Sequence, residues 1–122
     1  MIVTTENIES VIASLKHEAQ LSLDTETTGL RPFHGDRLFS LILGSANDTY
    51  YFNFQHYSGI PDSYILENSV LSRLQAELFS DRTRTWYLHN AKFDLHILGQ
   101  NDVRLEGKIH CTEALARVVY NE

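Results

Sequence analysis

The segment Gln20-Leu21-Ser22-Leu23-Asp24 alternates polar and apolar residues, which predicts a β-strand with one buried face. The next residues, Thr27-Thr28-Gly29-Leu30-Arg31-Pro32, contain the Gly and Pro that are typical of a loop. Asp24 and Glu26 therefore stand where the strand ends. Because they are two positions apart on an extended segment, we expect both carboxylates on the same face of the sheet.

Helical and extended patterns flank this strand on both sides. Apolar residues at helical spacing predict a helix over residues 5–19, with Thr4 or Thr5 as its N-cap. Residues 37–44 and 49–54 enclose a polar turn and predict an antiparallel hairpin. The remaining predictions, in chain order, are a helix carrying Val70, Leu71, Leu74 and Leu78 on one face and capped by Asn68 or Ser69, a strand over 83–88, a helix over 91–98 with Phe93, Ile97 and Leu98 inward, a short extended piece, and a helix over 112–119.

This order predicts an α/β fold in which helices pack on a mixed sheet. The chain has 122 residues, of which 43% are hydrophobic, so we expect a single domain over residues 1–122 with one core. Cys111 is the only cysteine, which excludes an internal disulfide and a multi-Cys zinc site. No apolar run approaches the roughly 20 residues of a membrane span, and we expect a cytoplasmic location.

The net charge of −6 argues against a protein that grips long stretches of nucleic acid by itself, since neutralising phosphates needs clustered Lys and Arg. It does not exclude a nuclease. Carboxylates that hold divalent cations make a site acidic, and the bound cations then attract phosphate.

A second polar segment, His89-Asn90-Ala91-Lys92-Phe93-Asp94, follows a predicted strand and opens a predicted helix. Open α/β sheets bind ligands just outside strand ends, so Asp94 can face Asp24. Mg²⁺ is held by one or two carboxylates together with water and phosphate oxygens, which suits an Asp-x-Glu pair at such a position. The alternative for Asp24 and Glu26 alone is a solvated strand end.

The segment LDTETTGL, residues 23–30, resembles the first motif of the DnaQ-like (DEDD) 3′→5′ exonucleases, and HNAKFDLHIL, residues 89–98, resembles their second. The resemblance covers essentially the whole chain and implies an RNase H-like fold. Residues 109–119 are similar to the helix after the second motif in bacterial and phage family A DNA polymerases, where an Asp usually stands in place of Cys111.

The resemblance implies that Asp24, Glu26 and Asp94 hold two Mg²⁺ or Mn²⁺ ions. One ion would activate water and the other would stabilise the leaving 3′ oxygen. His89 is interpreted as a hydrogen-bonded residue at a strand end rather than as a ligand.

The resemblance also implies contacts with the 3′-terminal nucleotide from Thr27, Leu30 and Asn90. Each has a structural alternative: a loop hydroxyl for Thr27, a loop-anchoring core residue for Leu30 and a helix N-cap for Asn90. Asn90 could fill both roles.

One family feature is absent. The third motif, a Tyr or His shortly before a final metal-binding Asp, is not found in this sequence, and no Tyr-x-x-x-Asp occurs. His89 stands five residues before Asp94, but taking that segment as the third motif leaves residues 30–88 without a second motif. We therefore expect an RNase H-like domain that is C-terminally truncated relative to the family.

The expected function is removal of nucleotides from a single-stranded DNA 3′ end, within or beside a DNA polymerase of a bacterial or phage-infected cell. The alternatives are an inactive or split exonuclease-like module that binds a polymerase or a nucleic-acid end, and an RNase D-like enzyme acting on RNA. With its last segment absent, the domain is expected to cover exposed apolar surface by self-association or by a partner chain that completes the fold.

Overall fold

The structure, a computed structural model, describes residues 1–27, 38–55 and 61–112. The helix predicted over 112–119 lies outside these ranges beyond Thr112. None of the helices within them is both long and apolar enough to cross a membrane. The elements in chain order are α1 (Ile8–Lys16), β1 (Gln20–Thr27), β2 (Leu38–Gly44), β3 (Thr49–Asn53), a 3₁₀ turn (Asp62–Tyr64), α2 (Ser69–Leu74), a π-helical turn (Gln75–Phe79), β4 (Thr85–Leu88), α3 (Ala91–Gln100) and β5 (Lys108–Cys111).

In the described part of the chain, five strands form one sheet in the order β3-β2-β1-β4-β5. β1, β2 and β3 pair antiparallel, whereas β4 pairs parallel with both β1 and β5. The predicted α/β fold with a mixed sheet is confirmed. Because β1, β4 and β5 run in the same direction, their carboxyl ends lie at the same edge of the sheet.

Burial alternates along β1, as the sequence predicts. Leu21, Leu23 and Thr25 are buried, whereas Asp24 and Glu26 are exposed. The buried face belongs to a core whose largest fully buried side chains include Trp86, Phe52, Phe79, Ile12, Leu15, Leu41 and Leu43. β1 therefore presents its carboxylates on the face opposite the core.

The first helix begins later than predicted. Thr4 Oγ1 accepts the N–H of Asn7 at 3.3 Å, and Asn7 Oδ1 accepts the N–H of Thr4 at 2.8 Å. These reciprocal bonds stabilise a turn before α1, whose N-cap is Asn7 rather than Thr4 or Thr5. The N-cap of α2 is Asn68, but its side chain makes no capping bond, and the Ser69 hydroxyl contacts Glu67 instead.

The second helix changes its winding after Leu74. The predicted inner residues Leu71, Leu74 and Leu78 are buried, and Val70 is half-buried. Along the π-helical turn the N–H of Ser80 donates to the carbonyl of Gln75. The extra residue in this turn brings Phe79 into the core, where its ring lies 5.3 Å from that of Trp86 in an edge-to-face contact.

A buried arginine ties the helices to the sheet. The guanidinium of Arg84 donates to the carbonyls of Lys16 at 3.1 Å, Glu18 at 2.9 Å and Leu78 at 2.8 Å. These bonds satisfy carbonyls at the end of α1 and in the π-helical turn. They also anchor the start of β4 beside β1. The position of the carboxyl ends of these two strands follows from this anchor.

Candidate metal-binding site at the strand ends

The carboxyl ends of β1, β4 and β5 bring together the two polar segments selected from the sequence. Asp24 lies near the end of β1, and His89 directly follows β4. The chain then enters α3, which contacts β1. The two segments are therefore neighbours in space, although more than 60 residues separate them in the sequence.

Asn90 caps α3, which is the structural alternative that the sequence offers for this residue. Its Oδ1 accepts the N–H of Phe93 at 3.4 Å, and its carbonyl accepts the N–H of Asp94 at 3.0 Å. The cap fixes the first turn of the helix and therefore the position of Asp94 in it. Contact of Asn90 with a nucleotide stays a prediction.

Asp94 occupies the inner side of α3. Its exposed fraction is 2%, and Ile97 and Leu98 on the same helix are also buried. Phe93, predicted to face inward, is only half-buried. A carboxylate thus takes a position in the first turn of α3 that faces the sheet rather than water.

Thr25 joins Asp94 to Asp24. The Thr25 hydroxyl donates to Asp94 Oδ1 at 2.6 Å, and the Thr25 backbone N–H donates to Asp24 Oδ1 at 2.9 Å. One residue of β1 therefore holds a carboxylate from each predicted motif. Asp24 and Asp94 are thus neighbours at the strand ends, near enough for the charge of Asp24 to act on Asp94.

Burial raises the pKa of Asp94 to about 6. The hydrogen bond from Thr25 opposes this shift, the nearby negative charge of Asp24 adds to it, and His89 opposes it. A buried carboxylate beside a second carboxylate is an electrostatically costly pair, and a divalent cation between them would offset the cost. The donor set fits one Mg²⁺ or Mn²⁺ ion, since such ions prefer carboxylate oxygens.

Glu26 lies on the same exposed face of β1 as Asp24, as expected for residues two apart, and pairs across the sheet with Ser40. Within residues 1–27, 38–55 and 61–112, no three His, Cys, Asp or Glu side chains form a group that could hold a metal. Participation of Glu26 with Asp24 and Asp94 therefore stays a prediction.

The predicted nucleotide-contacting residues of the first motif are placed only in part. Thr27 is the last residue of β1, directly after a shift of register between Glu26 and Thr27, and is half-buried. Such an irregularity re-aims the chain at a strand end. Leu30 lies outside the described residues.

His89 behaves as a strand-end residue, in agreement with its interpretation from the sequence. Its Nδ1 lies 3.2 Å from Thr112 Oγ1, and its backbone carbonyl accepts a bond from Cys111 Sγ at 3.4 Å. These contacts join the end of β5 to the start of α3.

A cleft elsewhere in the molecule does not offer comparable chemistry. It has a volume of about 530 Å³ and lies between α3 and the segment before β5. Its lining includes Leu95, Val103 and Ile109, with Asp102 and Arg104 as its charged residues. A single carboxylate beside an arginine is a poor cation site compared with Asp24 and Asp94.

Thr25 is the functional candidate that the sequence patterns did not select. The feature that could have indicated it is a hydroxyl residue on the buried face of β1, in line with Leu21 and Leu23. A buried polar group usually has a hydrogen-bond partner, so its presence on an apolar face indicates that a polar group packs against it. The identity of that partner, Asp94, depends on the fold.

Comparison with known proteins bears on the family and the fold of the chain. Residues 1–121 match a family model described as 3′-5′ exonuclease, of the type found in family A DNA polymerases. The curated DNA polymerase DpoZ of Salmonella phage PMBT28 is 24% identical over 111 residues, which are 90% of this chain and 16% of DpoZ. The chain thus spans about one sixth of the length of that relative.

Solved structures support the fold. Brucella melitensis NrnC with bound Mg²⁺ has a TM-score of 0.64 at 20% identity, covering 88% of this chain and 48% of NrnC. The RNase domain of yeast Pop2 has a TM-score of 0.71 at 16% identity, covering 96% of this chain and 70% of that domain. With the match over residues 1–121, the chain belongs to the DnaQ-like 3′-5′ exonuclease family, in the branch found in family A DNA polymerases.

Proposed function

We propose that this chain is a 3′→5′ exonuclease domain that hydrolyses nucleotides from the 3′ end of single-stranded DNA. The observation that carries the proposal is the junction of Asp24 and Asp94 through Thr25 at the edge where the parallel strands end. Family membership and the similarity to a phage DNA polymerase support the choice of DNA.

The proposed cofactors are two Mg²⁺ or Mn²⁺ ions held by Asp24, Asp94 and Glu26. When bound, such ions activate water and stabilise the oxygen that leaves during hydrolysis of a phosphodiester. The pair Asp24 and Asp94 supplies the first binding position, and Glu26 extends the donor set along the same face of β1. NrnC, a neighbour in fold, has been solved with Mg²⁺.

We further propose that Asn90, Thr27 and Leu30 contact the terminal nucleotide. Asn90 and Thr27 lie at the two element ends that flank the carboxylate pair. A polar group in each position can bind the sugar or the phosphate, while Leu30 would pack against the base. The backbone of α3 holds Asn90 in place, because its side chain already caps that helix.

The proposed setting is proofreading, with residues 1–122 forming one exonuclease domain within or beside a DNA polymerase. The family's third motif is not found in this sequence, so these residues alone would supply one carboxylate too few for two ions and no side chain to orient the attacking water. We therefore expect slow hydrolysis by this chain alone. A polymerase segment or a partner chain that carries the missing Asp should raise the rate.

The test uses a single-stranded DNA oligonucleotide labelled at its 5′ end and incubated with the chain in Mn²⁺. Its shortening is followed on a sequencing gel. We expect a ladder that starts at the 3′ end, is abolished by EDTA and is absent for Asp24→Asn and Asp94→Asn. A matched oligonucleotide with a blocked 3′ end controls for endonuclease contamination. Failure of the wild-type chain to shorten the open end at any enzyme concentration would instead favour an inactive or split module that binds without cutting.

A second candidate is an exonuclease that acts on RNA. The observation in its favour is the fold similarity to the RNase domain of yeast Pop2, which extends over 96% of this chain. Recognition of RNA at a given site uses the 2′-hydroxyl. The same gel assay with an RNA oligonucleotide of identical sequence distinguishes the two, since the DNA proposal requires faster shortening of the deoxy strand.

A further inference from the structure

We propose that Thr25 is a positioning residue that fixes the carboxylate of Asp94 in the orientation needed to share a cation with Asp24. The inference rests on the proposed function, because it concerns the same site. It adds a residue that lies between the two acidic positions of the first motif and that would not itself bind the ion.

The two hydrogen bonds of Thr25 carry the inference. Its hydroxyl donates to Asp94 Oδ1 at 2.6 Å, and its N–H donates to Asp24 Oδ1 at 2.9 Å. Each bond occupies one named oxygen of a carboxyl group. Because both donors belong to one residue of β1, the two bonds fix the orientation of each carboxyl group relative to the same point of the strand.

The contact between Thr25 and Asp94 is buried, which strengthens its hydrogen bond. Thr25 has an exposed fraction of 8% and Asp94 of 2%, so water competes little for the hydroxyl–carboxylate bond. A hydrogen bond to a charged group in such surroundings is stronger than one at the surface. Removal of the hydroxyl would leave a buried carboxylate oxygen without this donor.

The backbone around Thr25 is also rigid. Thr25 lies in the part of β1 that pairs with β2, where its partner is Leu41. A β-branched side chain has few χ1 rotamers, so the hydroxyl has little freedom on this strand. Thr25 therefore offers a fixed donor, whereas Asp94 has a side chain that rotates about its own bonds.

The variants that test this role separate the hydroxyl from the shape of the side chain. Thr25→Val keeps the β-branched shape and removes the donor, while Thr25→Ser keeps the donor. Thr85→Val makes the same chemical change on β4, where Thr85 pairs with Gln20 at the other end of β1. Thr85 therefore serves as a matched control remote from Asp94.

Two measurements are needed: Mn²⁺ affinity from electron paramagnetic resonance of the free ion, and metal-free crystal structures of wild type and Thr25→Val. We expect Thr25→Val to bind Mn²⁺ roughly 10- to 100-fold more weakly, as is usual when a partner that orients a metal ligand is lost. Thr25→Ser should restore most of the affinity, and Thr85→Val should leave it unchanged. In the Thr25→Val structure, the Asp94 carboxyl group should rotate away from residue 25 or adopt two conformers.

Failure of the inference is distinct from failure of the proposed function. Equal Mn²⁺ affinity of wild type and Thr25→Val would overturn the positioning role and leave the metal site in place. Absence of saturable Mn²⁺ binding in wild type would contradict the proposed metal site. In that case the metal-free structures decide: an unmoved Asp94 carboxyl group in Thr25→Val overturns the positioning role, and a displaced one supports it.

Discussion

The hydroxyl of Thr25 and the carboxylate of Asp94 lie 2.6 Å apart, although 69 residues separate them in the chain. The contact joins β1 to the first turn of α3, and each of these elements carries one of the two acidic motifs. The position of Asp94 in this contact depends on the cap that begins α3. The position of the strand ends depends on the pairing of β5 with β4. Substitutions in the cap and beside this strand pair should therefore change the stability of the chain.

The metal-free protein should lose stability as the pH rises from about 4 to about 6. Burial raises the pKa of Asp94 to about 6 from the ordinary aspartate value of 3.8, so the folded chain binds this proton more tightly than the unfolded chain. The stabilising contribution is complete below the lower pKa and is lost as the pH passes through the higher one. The pKa difference corresponds to at most about 3 kcal/mol.

Asp94→Asn removes this titration, so it should flatten the pH dependence over that range and raise the free energy of unfolding at pH 8. Urea unfolding in EDTA at pH 4, 5, 6 and 8 measures both effects. Identical pH profiles for wild type and Asp94→Asn would show that the carboxylate is not destabilised by burial. Addition of Mg²⁺ at pH 8 should stabilise wild type and leave Asp94→Asn unaffected.

Asn90→Ala should lower the free energy of unfolding by about 1 kcal/mol, because α3 loses the side-chain acceptor of its cap. Asn68→Ala is a matched control, since Asn68 occupies the N-cap of α2 without a side-chain capping bond. We expect the control to change stability by less than about 0.5 kcal/mol. Equal losses in the two variants, measured by urea unfolding, would argue against the cap of Asn90.

Two glycines should respond in opposite directions to replacement by alanine. A Cβ atom on Gly107 would lie 2.1 Å from the backbone oxygen of Arg84, next to the pairing of β4 with β5. Backbone cannot yield as a side-chain end can, so Gly107→Ala should destabilise the chain by about 1–3 kcal/mol. A Cβ atom on Gly99 in α3 would meet no heavy atom within 4 Å apart from its chain neighbours and the adjacent backbone of its own helix, and Gly99→Ala should stabilise the chain by roughly 0.5–1 kcal/mol.

Thermal unfolding of both glycine variants is the measurement. An unchanged stability of Gly107→Ala would contradict the close approach of Gly107 to the backbone oxygen of Arg84. Because Cys111 at the end of β5 contacts the carbonyl of His89, the structural effect should reach the start of α3. The amide chemical shifts of residues 89–94 should therefore change in Gly107→Ala. In Gly99→Ala, only amides next to the substitution should shift.

Much of the fold follows from local patterns. Alternation along β1 placed Asp24 and Glu26 on one face, and the polar turn at residues 45–48 gave the antiparallel pairing of β2 with β3. Asn90 before an apolar helix gave the cap that the structure confirms. Each of these features depends on residues close in sequence, whose physical preferences can be read without a partner.

Other features depend on distant contacts. The π-helical turn after Leu74 forms where Phe79 packs on Trp86, and helical spacing alone does not indicate an added residue in a turn. Similarly, Thr25 appears in the sequence as a hydroxyl on a buried face, and only the packing of α3 on β1 makes Asp94 its acceptor. The burial of Asp94, which raises the pKa of its carboxyl group, depends on the same packing and is not indicated by the sequence alone.

The most direct test of the account is Mn²⁺ binding by the purified chain, titrated at pH 7.5 and followed by electron paramagnetic resonance. We expect saturable binding that is lost or strongly weakened in both Asp24→Asn and Asp94→Asn. Glu67→Gln, which removes an exposed carboxylate outside the strand-end site, is the charge-matched control and should bind as wild type does. Saturable binding that survives both aspartate substitutions, or no saturable binding in wild type, would contradict a shared cation site at Asp24 and Asp94.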